Sequence, residues 1–274
     1  MNIKKVEVKS VLVKTKLPVG DFVINPYIGC QHGCFYCYAR FMKRFTNHEE
    51  AWGSFVDIKI NSPEILKQQL LKFNNCKKKY HVCLSSVTDP YQQVEKKYKL
   101  TRDILKTFIN YPCFDIEIIT KSDLILRDMD ILKKLKNVNV VFSISILDDN
   151  KAKFIEPLAS LPSKRIKALA KIHQAKIKTS AFISPILPKI TNFKDLFKAL
   201  DGKVDEVFGE TLNPKGANFT SLSKVLKVRF PGLLPEYNKI FFTDFLKSYL
   251  SKTKKDFYAE ASKFNLPVWG FFTH

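Results

Sequence analysis

Six short apolar runs, at 22–25, 82–87, 114–120, 138–146, 179–183 and 206–209, alternate along this chain with segments of helical period. Runs of this length, rich in Val, Ile and Phe, read as buried strands. Between them, Ser62-Pro63-Glu64 starts a helix to Phe73, with a capping Ser and a Pro in its first turn. Thr101 caps a helix through Phe108, and Asp128 opens one carrying Ile131, Leu132 and Leu135. Ser163 caps a helix with Ile166, Leu169, Ala170 and His173 at i, i+3, i+4 and i+7, and Asn192 caps one bearing Phe193, Leu196, Phe197 and Leu200. Strands that alternate with helices pair in parallel through right-handed crossovers. The expectation is an α/β fold with its chemistry where strands end and loops begin.

The first such loop is unusual. After the run at 22–25 comes Gly29-Cys30-Gln31-His32-Gly33-Cys34-Phe35-Tyr36-Cys37-Tyr38, three cysteines at C-x3-C-x2-C, with a helix expected over 34–44. A structural zinc needs a closed tetrahedron, usually two C-x2-C pairs or one pair with a His pair. Neither second pair is present, and His32 completes a Cys3His set only if the loop folds sharply back. A four-iron cluster held by three thiolates keeps one iron without a protein ligand, and an open metal position separates catalytic from structural sites. The spacing favours a cluster that does chemistry. Cys76, Cys83 and Cys113 are scattered singly and read as buried hydrophobes.

Cys30, Cys34, Tyr36 and Cys37, read as C-x3-C-x-aromatic-C, resemble the signature of the radical S-adenosylmethionine (SAM) enzymes. The fuller string from Asn25-Pro26-Tyr27-Ile28 to Cys37-Tyr38-Ala39-Arg40 resembles the spore photoproduct lyase-related group. So do Thr88-Asp89-Pro90-Tyr91-Gln92, Ile119-Thr120-Lys121-Ser122, and Phe142-Ser143-Ile144-Ser145 followed by Glu156-Pro157, all in the group's order. The resemblance implies a partial (β/α)6 TIM-type barrel. Its core would cover residues 1–212, with a helical extension at 213–274 packing on the barrel. In that extension Phe242, Phe245, Leu246 and Tyr249 share one helical face and Phe257, Ala261 and Phe264 another, so two helices are expected to close the open side. Val268-Trp269-Gly270-Phe271-Phe272 is apolar enough to be buried or to meet a partner.

The resemblance also implies roles. Cys30, Cys34 and Cys37 would bind a [4Fe-4S] cluster whose fourth iron takes the amine and carboxylate of SAM, and a reducing donor of flavodoxin or ferredoxin type would supply the electron. Tyr36 would lie near the adenine, and Thr88 and Asp89 near the methionyl amine. Lys121 has the charge to meet the SAM carboxylate. Ser143 and Ser145, two apart and so on one strand face, suit a ribose contact, with Phe142 and Ile144 on the other face. Ser184-Pro185 ends the fifth strand in the same zone. Glu210 and Asn213 follow the sixth strand and could face substrate, whereas His81 and His173 read as structural. One departure stands out. Spore photoproduct lyases carry a hydrogen-donating cysteine three positions before the Asp that Asp89 matches, and this chain has Ser86 there.

The formal charge is +20, which fits a nucleic-acid or nucleotide substrate by phosphate neutralisation. Of 46 basic residues only Arg40, Arg44, Arg102, Arg127, Arg165 and Arg229 are arginine, so a compositional Lys surplus explains the charge equally well. A rival class is therefore a basic nucleic-acid-binding protein whose metal is only structural, and labile sulfide with SAM cleavage separates the two. Lys4, Lys5, Lys9, Lys14 and Lys16 interrupt the N-terminal apolar runs, and neither a leader nor a membrane span is expected. A cytoplasmic protein with reduced cysteines follows from this reading.

Overall fold

The computed structural model describes residues 1–16, 20–74, 76–215 and 217–274. Strands β1 (Asn2–Val6), β2 (Val13–Lys14), β3 (Phe22–Ile24) and β4 (Tyr27–Ile28) precede a 3-10 helix at Tyr38–Phe45. Then follow β5 (Phe55–Lys59), α1 (Ser62–Leu70), β6 (Tyr80–Leu84), α2 (Glu95–Tyr98), α3 (Leu100–Phe108), β7 (Phe114–Thr120), α4 (Met129–Leu132) and β8 (Val138–Ser143). The alternation continues through α5 (Asp149–Ile155), α6 (Pro162–Gln174), β9 (Lys178–Ile186), α7 (Phe193–Leu200) and β10 (Glu206–Thr211). Helices α8 (Ala217–Arg229), α9 (Leu234–Phe241) and α10 (Phe245–Ser262) and strand β11 (Val268–Phe272) complete the chain.

The main sheet runs β11-β10-β9-β8-β7-β6-β3-β2 and is parallel except for β2. Its six central strands are those expected from the apolar runs. A second sheet, β1-β5-β4, carries the stem of the cysteine loop. Nothing in the sequence reading anticipates it, although Phe55, Val56 and Ile58 form a short apolar run that marks β5.

Alternation along the strands divides the barrel into an outer face and a lumen. Outward, Ile116, Ile118, Val140, Phe142, Ala181, Ile183 and Val207 join the main core with Ile104, Leu169, Phe197 and Phe257 of the covering helices. Inward, the lumen has three tiers. The lower tier is polar, with Glu117, Asn139, Ser180 and Glu206 beside Cys83. Ser180 Oγ lies 2.9 Å from both Asn139 Oδ1 and Glu206 Oε1, and its one hydrogen bridges to either. The middle tier is apolar, Ile119, Val141, Phe182 and Phe208, with the two phenylalanine rings stacked at 4.4 Å. The upper tier is polar again, with Lys121, Ser143, Ser145, Ser184 and Glu210. A cavity of about 820 Å³ opens below, at the strand N-termini, lined by Glu117, Asn139, Lys178, Glu206 and Trp269. It lies at the opposite end from the cysteine loop.

Several local expectations are corrected by competing hydrogen bonds. Ser62 Oγ donates back to Lys59 O, Thr101 to Pro90 O and Ser163 to Asp149, so none of the three caps its helix. Asn192 does cap α7, accepting from Asp195 N. The helix expected over 34–44 gives way to turns through Cys37 followed by the 3-10 helix. Cys76 and Cys113 are joined in a disulfide, not left as single thiols, because the segments entering β6 and β7 bring their Cα atoms to 6.4 Å. At the C-terminus three helices replace the two expected, and β11 extends the barrel sheet beside β10. Among the described residues no helix is long and apolar enough to cross a membrane.

Candidate active site

The cysteine loop leaves β4 at Gly29, whose φ of +85° and whose contact with Phe55 leave no room for a side chain: a β-carbon there would stand 2.5 Å from Phe55 O. Successive turns follow, Gly33 N on Cys30 O, Cys37 N on Cys34 O and Arg40 N on Cys37 O. Outside contacts fix the loop from two sides. Phe35 N bonds Ile155 O, and Leu158 N bonds His32 O. On the other side Gly33 meets Gly53, and a β-carbon on Gly53 would lie 2.8 Å from Gly33 Cα. Cys30, Cys34 and Cys37 are free thiols, the first two buried. Burial pushes all three up, Cys34 to about 12, and each of Cys30 and Cys34 is raised further by the neighbouring sulfurs. The triplet is thus close enough to interact electrostatically.

The Thr88-Asp89-Pro90-Tyr91-Gln92 stretch clamps that loop. Thr88 Oγ1 donates to Gly29 O at 2.5 Å, and Gln92 Nε2 reaches the same carbonyl. Gln92 Oε1 accepts from Gln31 N, while Gln31 Oε1 accepts from Val94 N. Both glutamines are buried, and sequence reasoning did not single out either one; their buried amides, paired across the loop, are visible only in three dimensions. Asp89 accepts from Tyr91 N, Thr120 Oγ1 and Lys121 N, and its Oδ2 lies 3.1 Å from His32 Nε2. Burial raises this carboxyl, but His32 and the N–H donors outweigh it and hold it below its ordinary range. A carboxylate offers about four acceptor positions, and Tyr91 N, Thr120 Oγ1 and Lys121 N fill three of them here. His32 has its other nitrogen 3.1 Å from Leu158 O, while Nε2, close to Asp89, makes no well-formed hydrogen bond.

The upper lumen forms the second half of the site. Lys121 Nζ donates to Ser143 Oγ and stands 5.6 Å from the centre of the Tyr36 ring. It is not a solvated surface lysine. Ser143 and Ser145 both donate to Ser184 O, and Ser184 Oγ donates to Glu210 Oε2 at 2.6 Å. Tyr36 is buried with its hydroxyl on Glu156, which also takes the Arg165 guanidinium. Arg165, fully buried, donates onward to Ser143 O and Ser160 O. Burial raises Glu156, but Arg165 and Lys121 hold it below the usual carboxylate range. Both residues went unassigned in the sequence reading. Asn213 accepts from Lys215 N in the loop after β10. His81 lies low on β6 near Asp115, His173 pairs with Asp205, and neither approaches the triplet.

Beyond Cys37 the 3-10 helix presents Tyr38, Phe41 and Phe45 to solvent, with Arg44 over the Phe41 and Phe45 rings at 5.3 and 4.9 Å. Tyr38 also donates to Ser86 O. Helices α8 and α9 cover the other side of the loop, Leu222, Leu226, Tyr237 and Phe241 packing in one cluster with Cys34 and Tyr36.

The donor set, three free thiols in one loop, is of the chemistry an iron–sulfur cluster takes. Among the described residues no three His, Cys, Asp or Glu side chains converge on one metal position. Three thiolates that each hold a different iron stand farther apart than three sharing one ion. Of two buried N–H groups near the triplet, Arg40 Nε has no acceptor in the protein and Trp52 Nε1 has only the Cys37 sulfur within reach, as donors toward cluster sulfurs would.

The sequence profile of the radical SAM superfamily matches residues 24–200. An uncharacterized protein of Methanocaldococcus jannaschii is 39% identical over 217 residues, covering 79% of this chain and 80% of that protein. An uncharacterized protein of Acidianus two-tailed virus is 31% identical over 246 residues, covering 83% and 80%. Among solved structures, spore photoproduct lyase complexed with dinucleoside spore photoproduct superposes with a TM-score of 0.70 at 14% identity, over 99% of this chain and 81% of that one. Streptococcus suis SuiB bound to S-adenosylmethionine gives 0.54 at 15% identity, over 96% and 51%. At these identities the structural likenesses speak for the fold.

Proposed function

The chain belongs to the radical SAM superfamily and is a radical SAM enzyme, and from that premise we propose that Cys30, Cys34 and Cys37 hold a [4Fe-4S] cluster beside a SAM site in the upper lumen. When bound, the reduced cluster supplies the electron that cleaves SAM to a 5′-deoxyadenosyl radical for hydrogen abstraction. The observation that carries this reading is the triplet itself: three free thiols in one loop, clamped by Thr88, Asp89 and Gln92.

The chain's own residues divide the work. Lys121 has ammonium hydrogens left after its bond to Ser143 and offers them to the SAM carboxylate. Tyr36 presents its ring next to Lys121 while Glu156 and Arg165 fix its hydroxyl. Ser143 and Ser145 keep acceptor capacity for a ribose hydroxyl, their own hydrogens being directed to Ser184 O. Thr88 and Asp89 act by holding the loop, and each keeps an oxygen lone pair for the methionyl amine. Helices α8 and α9 exclude water from the Cys34 and Tyr36 side. A one-electron donor of flavodoxin or ferredoxin type and a cytoplasmic setting belong to the same proposal.

For the substrate, the exposed Tyr38, Phe41 and Phe45 with Arg44 between rings favour a nucleic acid, since aromatic faces stack on bases and cations meet phosphates. Spore photoproduct lyase, the protein of similar fold, is described with a dinucleoside lesion. Ser86 argues against the same reaction here, because a hydroxyl O–H bond is too strong to return a hydrogen atom to a substrate radical.

Anaerobic reconstitution tests the central reading. About four irons and four sulfides per chain, with 5′-deoxyadenosine formed from SAM under reduction, are expected. Stoichiometric zinc without labile sulfide in anaerobically purified protein, the mark of the structural-metal alternative, would overturn it.

A further inference from the structure

Two buried N–H groups flank Cys37: Arg40 Nε has no partner, and Trp52 Nε1 has no oxygen or nitrogen acceptor and only the Cys37 sulfur within reach. A buried donor left bare is costly, so Arg40 Nε calls for an acceptor that the polypeptide does not provide, and Trp52 Nε1 for a stronger one than a neutral thiol. Neither side chain is loose. Trp52 is 7% exposed, packs with Cys30, Ala39 and Phe55 and touches Cys37 at the edge of that cluster, its ring edge-on to Phe55 at 5.9 Å. The turn that carries it is fixed by the contact between its neighbour Gly53 and Gly33 of the cysteine loop. Arg40 donates through Nη2 to Cys34 O at 3.0 Å, which anchors the guanidinium and leaves Nε over.

We propose that Trp52 Nε1–H and Arg40 Nε–H donate hydrogen bonds to sulfurs at the Cys37 corner of the cluster and thereby raise its reduction potential. The inference rests on the cluster reading above. Reduction adds one negative charge to the cluster, so a fixed donor, and still more a fixed cation, stabilises the reduced form over the oxidised one. The two groups are therefore tuning residues: they touch the cluster's sulfurs and act on no substrate atom. Trp52 carries a dipole and Arg40 a full charge, so the arginine has the larger effect.

The test is a redox titration followed by electron paramagnetic resonance, on protein reconstituted without SAM. Trp52→Phe keeps the ring and removes the N–H; Arg40→Gln removes the charge. Each variant is expected to retain about four irons and to shift the midpoint to more negative potential. For Trp52→Phe the shift is roughly tenfold in the reduction equilibrium, about 59 mV for one electron. Trp269→Phe, at the far end of the lumen, leaves the midpoint unchanged. A fully loaded Trp52→Phe variant with the wild-type midpoint overturns the proposal. If that variant loads no cluster, wild-type protein containing indole-15N tryptophan decides: a 15N coupling in the pulsed spectrum of the reduced cluster supports the bond, and its absence in both pulse schemes for hyperfine detection overturns it. Failure of the wild type to build any four-iron cluster would instead strike the underlying assignment.

Discussion

Gly33 and Gly53 meet backbone to backbone, twenty residues apart in sequence, each at a positive φ of +61° and +97°. A methyl group at position 53 would press on the Gly33 Cα at 2.8 Å, and neither backbone can yield without moving the cysteine loop or Trp52. Gly53→Ala is therefore expected to destabilise the chain by roughly 2–4 kcal/mol and to reduce iron loading. Gly202→Ala, also at positive φ but with nothing within 4 Å, should cost about 1 kcal/mol and load iron normally. Thermal melts and iron content of both variants check the pair; equal effects would remove the special role of the Gly33 contact.

Asp89 joins the ends of β6 and β7 to His32. Asp89→Ala leaves buried His32 and two backbone N–H groups without their acceptor, an expected loss of about 3–5 kcal/mol. Its folded carboxyl lies below the unfolded value, so its stabilisation is present above the unfolded range near 3.8 and is lost as pH falls through the folded value. Urea titrations from pH 3 to 7 should show a shallower acid limb in Asp89→Asn than in wild type.

Lys121→Ala should keep the full iron content and weaken SAM binding at least tenfold, in line with losing a charge-assisted hydrogen bond. Equilibrium dialysis with reconstituted protein measures this. An unchanged dissociation constant would leave Lys121 as a partner of Ser143 and the Tyr36 ring alone.

In the lower lumen Glu117 is pushed up to about 7, first by burial and then by Glu206. A carboxyl with a raised folded value favours the fold fully below about 4.5, and that contribution is lost as pH rises through about 7. Glu117→Gln should thus equal wild type near pH 4 and exceed it by about 1–3 kcal/mol at pH 8. Identical pH profiles for the two proteins would show that the carboxyl is solvated.

With Ser86 in place of a thiol, SAM should be consumed rather than regenerated. Reduced protein given SAM and DNA carrying the spore lesion is expected to accumulate 5′-deoxyadenosine without catalytic thymine release. Thymine formed over many turnovers with SAM conserved would refute this, and Cys83→Ala would then ask whether the buried thiol on β6 serves as donor.

The strands of the barrel were legible because each depends on local pattern: 114–120 alternates apolar and polar residues and forms β7 with those bounds. The cysteine loop was legible because ligand spacing is local too. What stayed hidden depends on distant partners. Gln31 and Gln92 look like surface amides until the loop and the β6 end meet, and Glu156 and Arg165 look like helix-surface charges until Tyr36 and Ser143 surround them. Cys76 and Cys113 lie 37 residues apart, and only the pairing of β6 with β7 brings them together. The Thr101 and Ser163 caps failed for the same reason, since a tertiary acceptor outbid the helix N-terminus, whereas Ser62 turned back to Lys59 O three residues away.

The stacked Phe182 and Phe208, with Ile119 and Val141, make a bulkhead across the barrel. Above it lie the groups proposed to face SAM; below it lies Glu117, its carboxyl pushed up by burial, in a wide vestibule. The lower mouth is thereby set apart from the upper chamber and can be rebuilt as an independent module without rewriting the chamber that faces the cysteines.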